Sequence, residues 1–180
     1  MNKEICLMGN PILRTTAEKI DMSELNTPEF KALLEDMFDS MKASGGIGIA
    51  APQIGISKQL ALIELNGVNR YNEFIDLPLT AFINPVIEIL DEATQGYWEG
   101  CLSVPGLRGF VERPRHIKVS FVNQHGEDQS LEAEGFLATV IQHELDHLFG
   151  NLYVDRINDP KLLMYQSEYD KYIIQKATMD

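Results

Sequence analysis

The chemistry-bearing residues of this 180-residue chain are concentrated in Gln142-His143-Glu144-Leu145-Asp146-His147, a match to the His-Glu-x-x-His pattern. On a helix, residues four apart stand one turn above each other on one face, so His143 and His147 can grip one metal ion while Glu144 sits beside it. With His143 at zero on a helical wheel, His147 falls at about 40°, Val140 at about 60° and Phe136 at about 20°. The imidazoles therefore share an apolar stripe. Leu137, Ile141, Leu145 and Leu148 form a second stripe near 120 to 200° by the same rough rule, so this helix should be covered on both sides. Burying three titratable side chains without partners would cost roughly 2 to 7 kcal/mol for each group, and a divalent cation removes that cost. Two histidines satisfied by ordinary hydrogen bonds are the bland alternative.

The third ligand decides the class of chemistry. A metzincin would continue with a later histidine, but this chain supplies Gly150 and then Tyr153 where that histidine should stand. Asp155 is an oxygen donor nearby, in a segment, Asn151 to Ile157, that reads equally well as a strand or turn. Cys101 is the better candidate. It lies in Glu99-Gly100-Cys101-Leu102-Ser103, among turn-forming residues, and a thiolate with two imidazoles leaves one coordination position open. Asp146, at about 300° on the wheel, is set for a cation, and Arg113 is the candidate that would tie the cysteine loop to the helix.

A third feature, Gly46-Ile47-Gly48-Ile49-Ala50-Ala51-Pro52-Gln53, is glycine-rich without the Lys-Ser/Thr ending of a phosphate loop. Its alternation predicts a strand with one bare face, along which another backbone could lie, with the Gln53 amide at its end.

These segments need elements to position them. Thr27 and Pro28 open a helix carrying Phe30, Leu33, Leu34, Met37, Phe38 and Met41, which Gly45 and Gly46 stop. Strands are predicted over Ile47 to Ala51, Gln59 to Leu65, Thr80 to Leu90, Ile117 to Asn123 and Gln129 to Glu134, with a turn at His125 and Gly126. Helices are predicted from about Gly135 to Phe149 and from about Pro160 to Lys176. Strands grouped between helices imply an α+β fold, mostly antiparallel, packed around a central metal-binding helix with helices at both ends.

Length and composition set the remaining bounds. One compact domain over residues 1–180 is expected, and 44% hydrophobic with 23% charged residues excludes a disordered or low-complexity chain. A formal charge of −12 argues against DNA as a partner. Arg108, Arg113, Arg115 and Lys118, interrupted by Glu112, read as a solvated strand edge. No run reaches the length of a membrane span, and Ile5 to Leu13 is broken by Gly9, Asn10 and Pro11, so the cytoplasm is the expected compartment and no disulfide between Cys6 and Cys101 is expected.

Together, Gly46 to Gln53, Glu99 to Ser103 and Gln142 to His147 resemble the three signatures of the peptide deformylases, in order and at similar separations. Asn10-Pro11-Ile12-Leu13-Arg14 is similar to that family's amino-terminal segment, and the carboxy-terminal helix resembles its first bacterial subclass. The resemblance implies a metal-dependent hydrolase of a linear amide that removes the N-formyl group from the initiator methionine of nascent polypeptides. It implies Cys101, His143 and His147 as ligands of one divalent ion, Fe(II) natively, with Zn, Ni or Co able to replace it. Glu144 is then general base and acid, and the Gln53 side chain and Leu102 backbone N–H hold the oxyanion. Gly48 would bind substrate in strand fashion, Ile47, Phe136 and Val140 would line the methionine pocket, and Gly100 and Tyr97, with Trp98, would face the substrate. A monomer is expected. Proximity to the ribosome fits the role, but Lys161, Lys171 and Lys176 against Glu168, Asp170 and Asp180 leave the last helix neutral, so direct RNA docking is not expected. A zinc endopeptidase, with Asp155 or another late ligand, and a non-catalytic metal-binding paralogue are the alternatives.

Overall fold

The computed structural model describes residues 3–69, 71 and 74–174. It is an α+β fold whose sheet is antiparallel throughout, in the order β1 (Gly48–Ala50), β2 (Leu60–Val68), β3 (Phe74–Cys101), β4 (Val104–Val122), β5 (Asp128–Glu134), with β6 (Leu163–Tyr165) paired to β4. Helix α1 (Pro28–Ala43) starts where the sequence predicts: the Thr27 hydroxyl accepts from Phe30 N–H at 3.2 Å and Pro28 takes the first helical position. It ends at Ser44, after which Gly45 turns the chain with φ +67°.

Both faces of β2 are buried, and its period-two alternation divides them. Ala61, Ile63 and Leu65 face helix α2 (Gly135–His147) with Ile117, Val119 and Ile141, while Leu60 and Leu62 face α1 with Met37 and Met41. Helix α2 buries residues of both its stripes, Phe136 and Val140 with the two histidines on one and Ile141, Leu145 and Leu148 on the other. Among the described residues no helix is long and apolar enough to cross a membrane.

Two strands are far longer than the sequence predicts. The polar run Asp91-Glu92-Ala93-Thr94-Gln95 looks like a loop, yet β3 passes through it, pairing Asp91 with His116 and Gln95 with Arg113 across register shifts that absorb its irregularity. Pro105, Gly106, Gly109 and Pro114 likewise disguise the first half of β4.

The carboxy-terminal helix predicted from Pro160 to Lys176 also needs correction. Pro160–Leu162 form a single turn, Leu163–Tyr165 become β6, and only then does α3 (Gln166–Tyr169) begin, continuing as a wider helical turn over Asp170–Ile174. The edge of β4 at Leu107–Gly109 offers unpaired backbone, and β6 takes it. Residues 175 and 176, and with them the Lys176 and Asp180 charges, lie outside the described residues.

Candidate metal centre and its cleft

Cys101 ends β3, and Leu102 and Ser103 form the two-residue turn into β4, closed by the Cys101 and Val104 pair. Helix α2 runs past this turn, and the ligand atoms of Cys101, His143 and His147 lie within 4.8 Å of one another. Cys101 Sγ stands 3.4 Å from His147 Nε2. The imidazoles are 8% and 1% exposed, which puts the cluster beneath the surface of the cleft.

Behind the ligands a chain of charges runs to the surface. His143 Nδ1 is 2.7 Å from Glu99 Oε2, which leaves Nε2 for the centre. Arg113 grips Glu99 with two bonds, 2.7 and 3.1 Å, and reaches Asp146 at 2.8 Å. Arg156 covers the outer side of Asp146 at 2.6 Å. The wheel sets Asp146 outward for a cation, and Arg113, the candidate from the segment after Cys101, is the one that pairs with it. The wider expectation of a solvated basic edge is corrected: Arg113 is 3% exposed, because a buried Glu99 and a largely covered Asp146 converge on it from two elements. Arg115, by contrast, is an exposed partner of Asp91.

Glu99 is the residue that sequence reasoning missed. It was visible only as part of a turn motif, although positions two apart on a strand share a face, so Glu99 and Cys101 had to point together toward α2. Burial pushes the Glu99 carboxyl up, but its hydrogen bonds from His143 and Arg113 outweigh that and hold it below the ordinary range. Burial also opposes a proton on either imidazole. On His143 the hydrogen bonds and negative charge of the Cys101 sulfur and Glu99 outweigh burial and raise its pKa, while on His147 the charges of His143 and Arg113 add to burial and lower it.

Glu144 has the opposite surroundings to Glu99. Its Oε2 is buried with no protein partner, and burial pushes its pKa up to about 7, despite the opposing charges of His143 and Arg113. The carboxylate lies against Gly48: a Cβ at that position would meet Glu144 Oε1 at 2.5 Å. The bare face predicted for the Gly46 to Gly48 strand is therefore real, but at Gly48 it makes room for the carboxylate. Gln53 is fixed at both ends. Its Oε1 accepts from Ala50 N–H at 2.8 Å, and its Nε2 donates to Ser103 Oγ at 3.1 Å and lies 3.5 Å from Cys101 Sγ.

Two adjoining cavities open onto these groups. The larger, about 330 Å³, is bordered by Gly48, Gln53, Gly100, Leu102 and Glu144. The smaller, about 80 Å³, is bordered by Ile47, Trp98, Phe136 and Val140 beside His143. Tyr97 lines neither among these residues. It is 9% exposed and packs edge-on against Phe136, 5.4 Å between centroids, while its neighbour Trp98, which strand alternation turns the other way, borders the smaller cavity. Asp155 is also set aside as a ligand, since its carboxylate accepts from Arg14 and from Leu152 N–H.

A divalent cation fits this constellation. A thiolate and two imidazoles supply three ligands with one position left open, Glu99 orients one imidazole, and a buried carboxylate oxygen is left unpartnered beside them. Known proteins share this fold and a substantial part of this sequence. Residues 2–162 match the family described as polypeptide deformylase. A peptide deformylase of Leptospira biflexa is 44% identical over 169 residues, 93% of this chain and 94% of its own. Peptide deformylase 1 of Bordetella pertussis is 47% identical over 155 residues, 86% of this chain and 87% of its own. The Met-Ala-Ser-bound class I type b peptide deformylase of Acinetobacter baumannii superposes with TM-score 0.82 at 35% identity, covering 87% of this chain and 99% of that one. With both backbone and sequence matched over nearly the whole length, the chain belongs to the polypeptide deformylase family, as a metal-dependent enzyme.

Proposed function

We propose that this chain removes the N-formyl group from the initiator methionine of nascent polypeptides and releases formate, acting in the cytoplasm as a monomer with Fe(II) as its native ion. The observation that carries this reading is the unpartnered Glu144 carboxylate, buried beside Cys101, His143 and His147 and facing the cavity that Gln53 borders. The family relationship and the Met-Ala-Ser bound to the Acinetobacter relative point to the same peptide chemistry.

A divalent ion held by Cys101, His143 and His147 would supply Lewis acidity and make water nucleophilic near neutral pH. Glu144 takes the proton from the attacking water and returns it to the departing amine nitrogen. Gln53 Nε2, its direction set by the Ala50 N–H on Oε1, donates to the oxyanion as the formyl carbon becomes tetrahedral, together with the Leu102 N–H at the turn. Substrate adds to the free edge of β1. Ile47 C=O accepts from Glu64 N–H on the β2 side, so by the alternation of an antiparallel ladder Gly48 directs its N–H and C=O outward, to the peptide. Methionine enters the smaller cavity between Ile47, Phe136 and Val140, and Gly100 borders both cavities under the peptide.

Formate release from formyl-Met-Ala-Ser by the metal-loaded protein tests the proposal. Turnover of that peptide, with no cleavage of its unformylated counterpart, is expected. Internal cleavage of unformylated peptides would replace it with an endopeptidase.

A further inference from the structure

Gln53 and Leu102, the two groups assigned to the oxyanion, come from separate turns, one after β1 and one between β3 and β4. The amino-terminal segment before Pro11 lies against both turns. Cys6 N–H donates to the Gln53 C=O at 2.8 Å, and Met8 N–H donates to the Ser103 C=O at 2.7 Å. The same two turns meet again through side chains, where Gln53 Nε2 donates to Ser103 Oγ at 3.1 Å. These contacts close a ring that runs from Cys6 to Gln53, to Ser103, to Met8 and back along the chain. Leu7 and Met8 are 52% and 45% exposed, so side-chain burial does little to hold the stretch there. The segment is anchored independently on either side: Lys3 N–H donates to the buried Ser40 Oγ at 2.8 Å, and Ala17 N–H donates to the Leu148 C=O at 2.8 Å, with Leu13 fully buried.

We propose that Cys6 and Met8 are positioning residues for the oxyanion donors: their backbone N–H groups clamp the Gln53 and Ser103 turns to one another, and so hold the Gln53 amide and the Leu102 N–H in register. Donors aimed in advance at the place where charge develops need no rearrangement at the moment of reaction, and a displacement of about 1 Å there costs on the order of 10² in rate. The unreacted peptide, paired to Gly48, does not call on the clamp. The inference rests on the deformylase reading proposed above and on the roles it gives Gln53 and Leu102.

Met8→Pro removes one of the two clamps at a position that suits the new residue. Asn10 N–H donates to the Leu7 C=O at 2.9 Å, Gly9 has φ +111° and Met8 is not among the positive-φ residues, which is the pattern of a type II turn with Met8 where proline is favoured. Proline has no N–H, and its ring carbon cannot come as close to the Ser103 C=O, so that turn must draw away. Cys6→Pro removes the other N–H, and Met8→Ala removes the side chain while keeping the N–H. With formyl-Met-Ala-Ser and metal-loaded protein, each proline variant should lose about tenfold to hundredfold in kcat with KM little changed. Met8→Ala should retain the wild-type kcat. Inhibition by unformylated Met-Ala-Ser, which has no formyl oxygen for the donors to hold, should be the same in all four proteins at equal metal content. Near-wild-type kcat in either folded proline variant overturns the proposal, and so does an equal loss in Met8→Ala. A raised KM, weakened Met-Ala-Ser inhibition or metal loss in a folded proline variant overturns it too, because the segment then supports the cleft as a whole. If one proline variant fails to fold, the other decides; failure of both gives the segment a role in the fold at large and overturns the specific one. A wild type that releases no formate sinks the functional reading instead.

Discussion

Gly48→Ala separates two roles that one glycine holds. Gly48 is not among the positive-φ residues, so alanine suffers no backbone strain there and the substitution acts through contact alone. Its new Cβ would stand 2.5 Å from Glu144 Oε1 and 2.6 Å from both Cδ and Cγ. An ordinary contact begins at 3.4 Å, so the carboxyl group must withdraw by about 0.9 Å, the difference between that limit and 2.5 Å. A displacement of about 1 Å at a reacting group costs on the order of 10² in rate, so kcat should fall by roughly that factor. The overpacking should also lower stability by about 1 to 3 kcal/mol. The Gly48 N–H and C=O remain free to pair with substrate, so KM should change little. Steady-state kinetics on formyl-Met-Ala-Ser, with metal content measured on the same preparation, read both parameters. A metal-loaded variant with kcat within about threefold of wild type and a raised KM would refute the reasoning, leaving Gly48 with a substrate-binding role only.

The other substitutions address one group each. Glu144→Gln should fold, keep one metal per chain, and lose at least about 10² to 10⁴ in kcat, checked by metal analysis and formate release; loss of the metal instead would make Glu144 a ligand. Gln53→Ala should lower kcat by about 10² to 10³ with little change in KM, because its donor matters once the oxyanion forms. Cys101→Ser should weaken metal retention and activity together, since a neutral hydroxyl replaces the thiolate. Glu99→Gln leaves Arg113 buried without one of its charges and should cost about 3 to 5 kcal/mol at pH 7 by urea unfolding of the metal-free protein. Because Glu99 is held below the ordinary 4.5, its contribution is present above that pH and fades as pH falls through the lower folded value. The gap between wild type and Glu99→Gln should therefore narrow in acid.

How much of this was legible in the sequence depended on how far apart the cooperating residues stand. The two histidines, Glu144 and the outward Asp146 follow from one helical period, and the structure sets Asp146 against Arg113 at 2.8 Å. Cys101 and Gln53 could be singled out because turn-forming neighbours and a glycine strand mark their segments. Glu99 could not be paired with His143, 44 residues away, because spacing along a chain says nothing about which helix will pack on which strand. The length of β3 and β4 was hidden for a different reason: bulges let polar, Gly and Pro residues remain inside a ladder that a strict alternation would exclude. The last segment reads as one helix because Leu163–Tyr165 carry no signal of their own, and only the open edge of β4 makes them a strand.

The two buried glutamates show why the missed residue matters to chemistry as well as to packing. Glu99 and Glu144 are both nearly withdrawn from water, 7% and 6% exposed, so burial alone would raise both. Glu99 accepts from His143 and twice from Arg113, which holds it ionised and spends its oxygens on orientation. Glu144 Oε2 has no such donor, and Glu99's own negative charge adds to the effect of burial, so its pKa rises to about 7. A carboxylate with a pKa near neutrality can take a proton and give it back, whereas one held low can only orient a neighbour. The same environment that makes Glu99 a poor base therefore makes it a rigid support for His143, and the absence of that environment one helical step away leaves Glu144 free to move the proton.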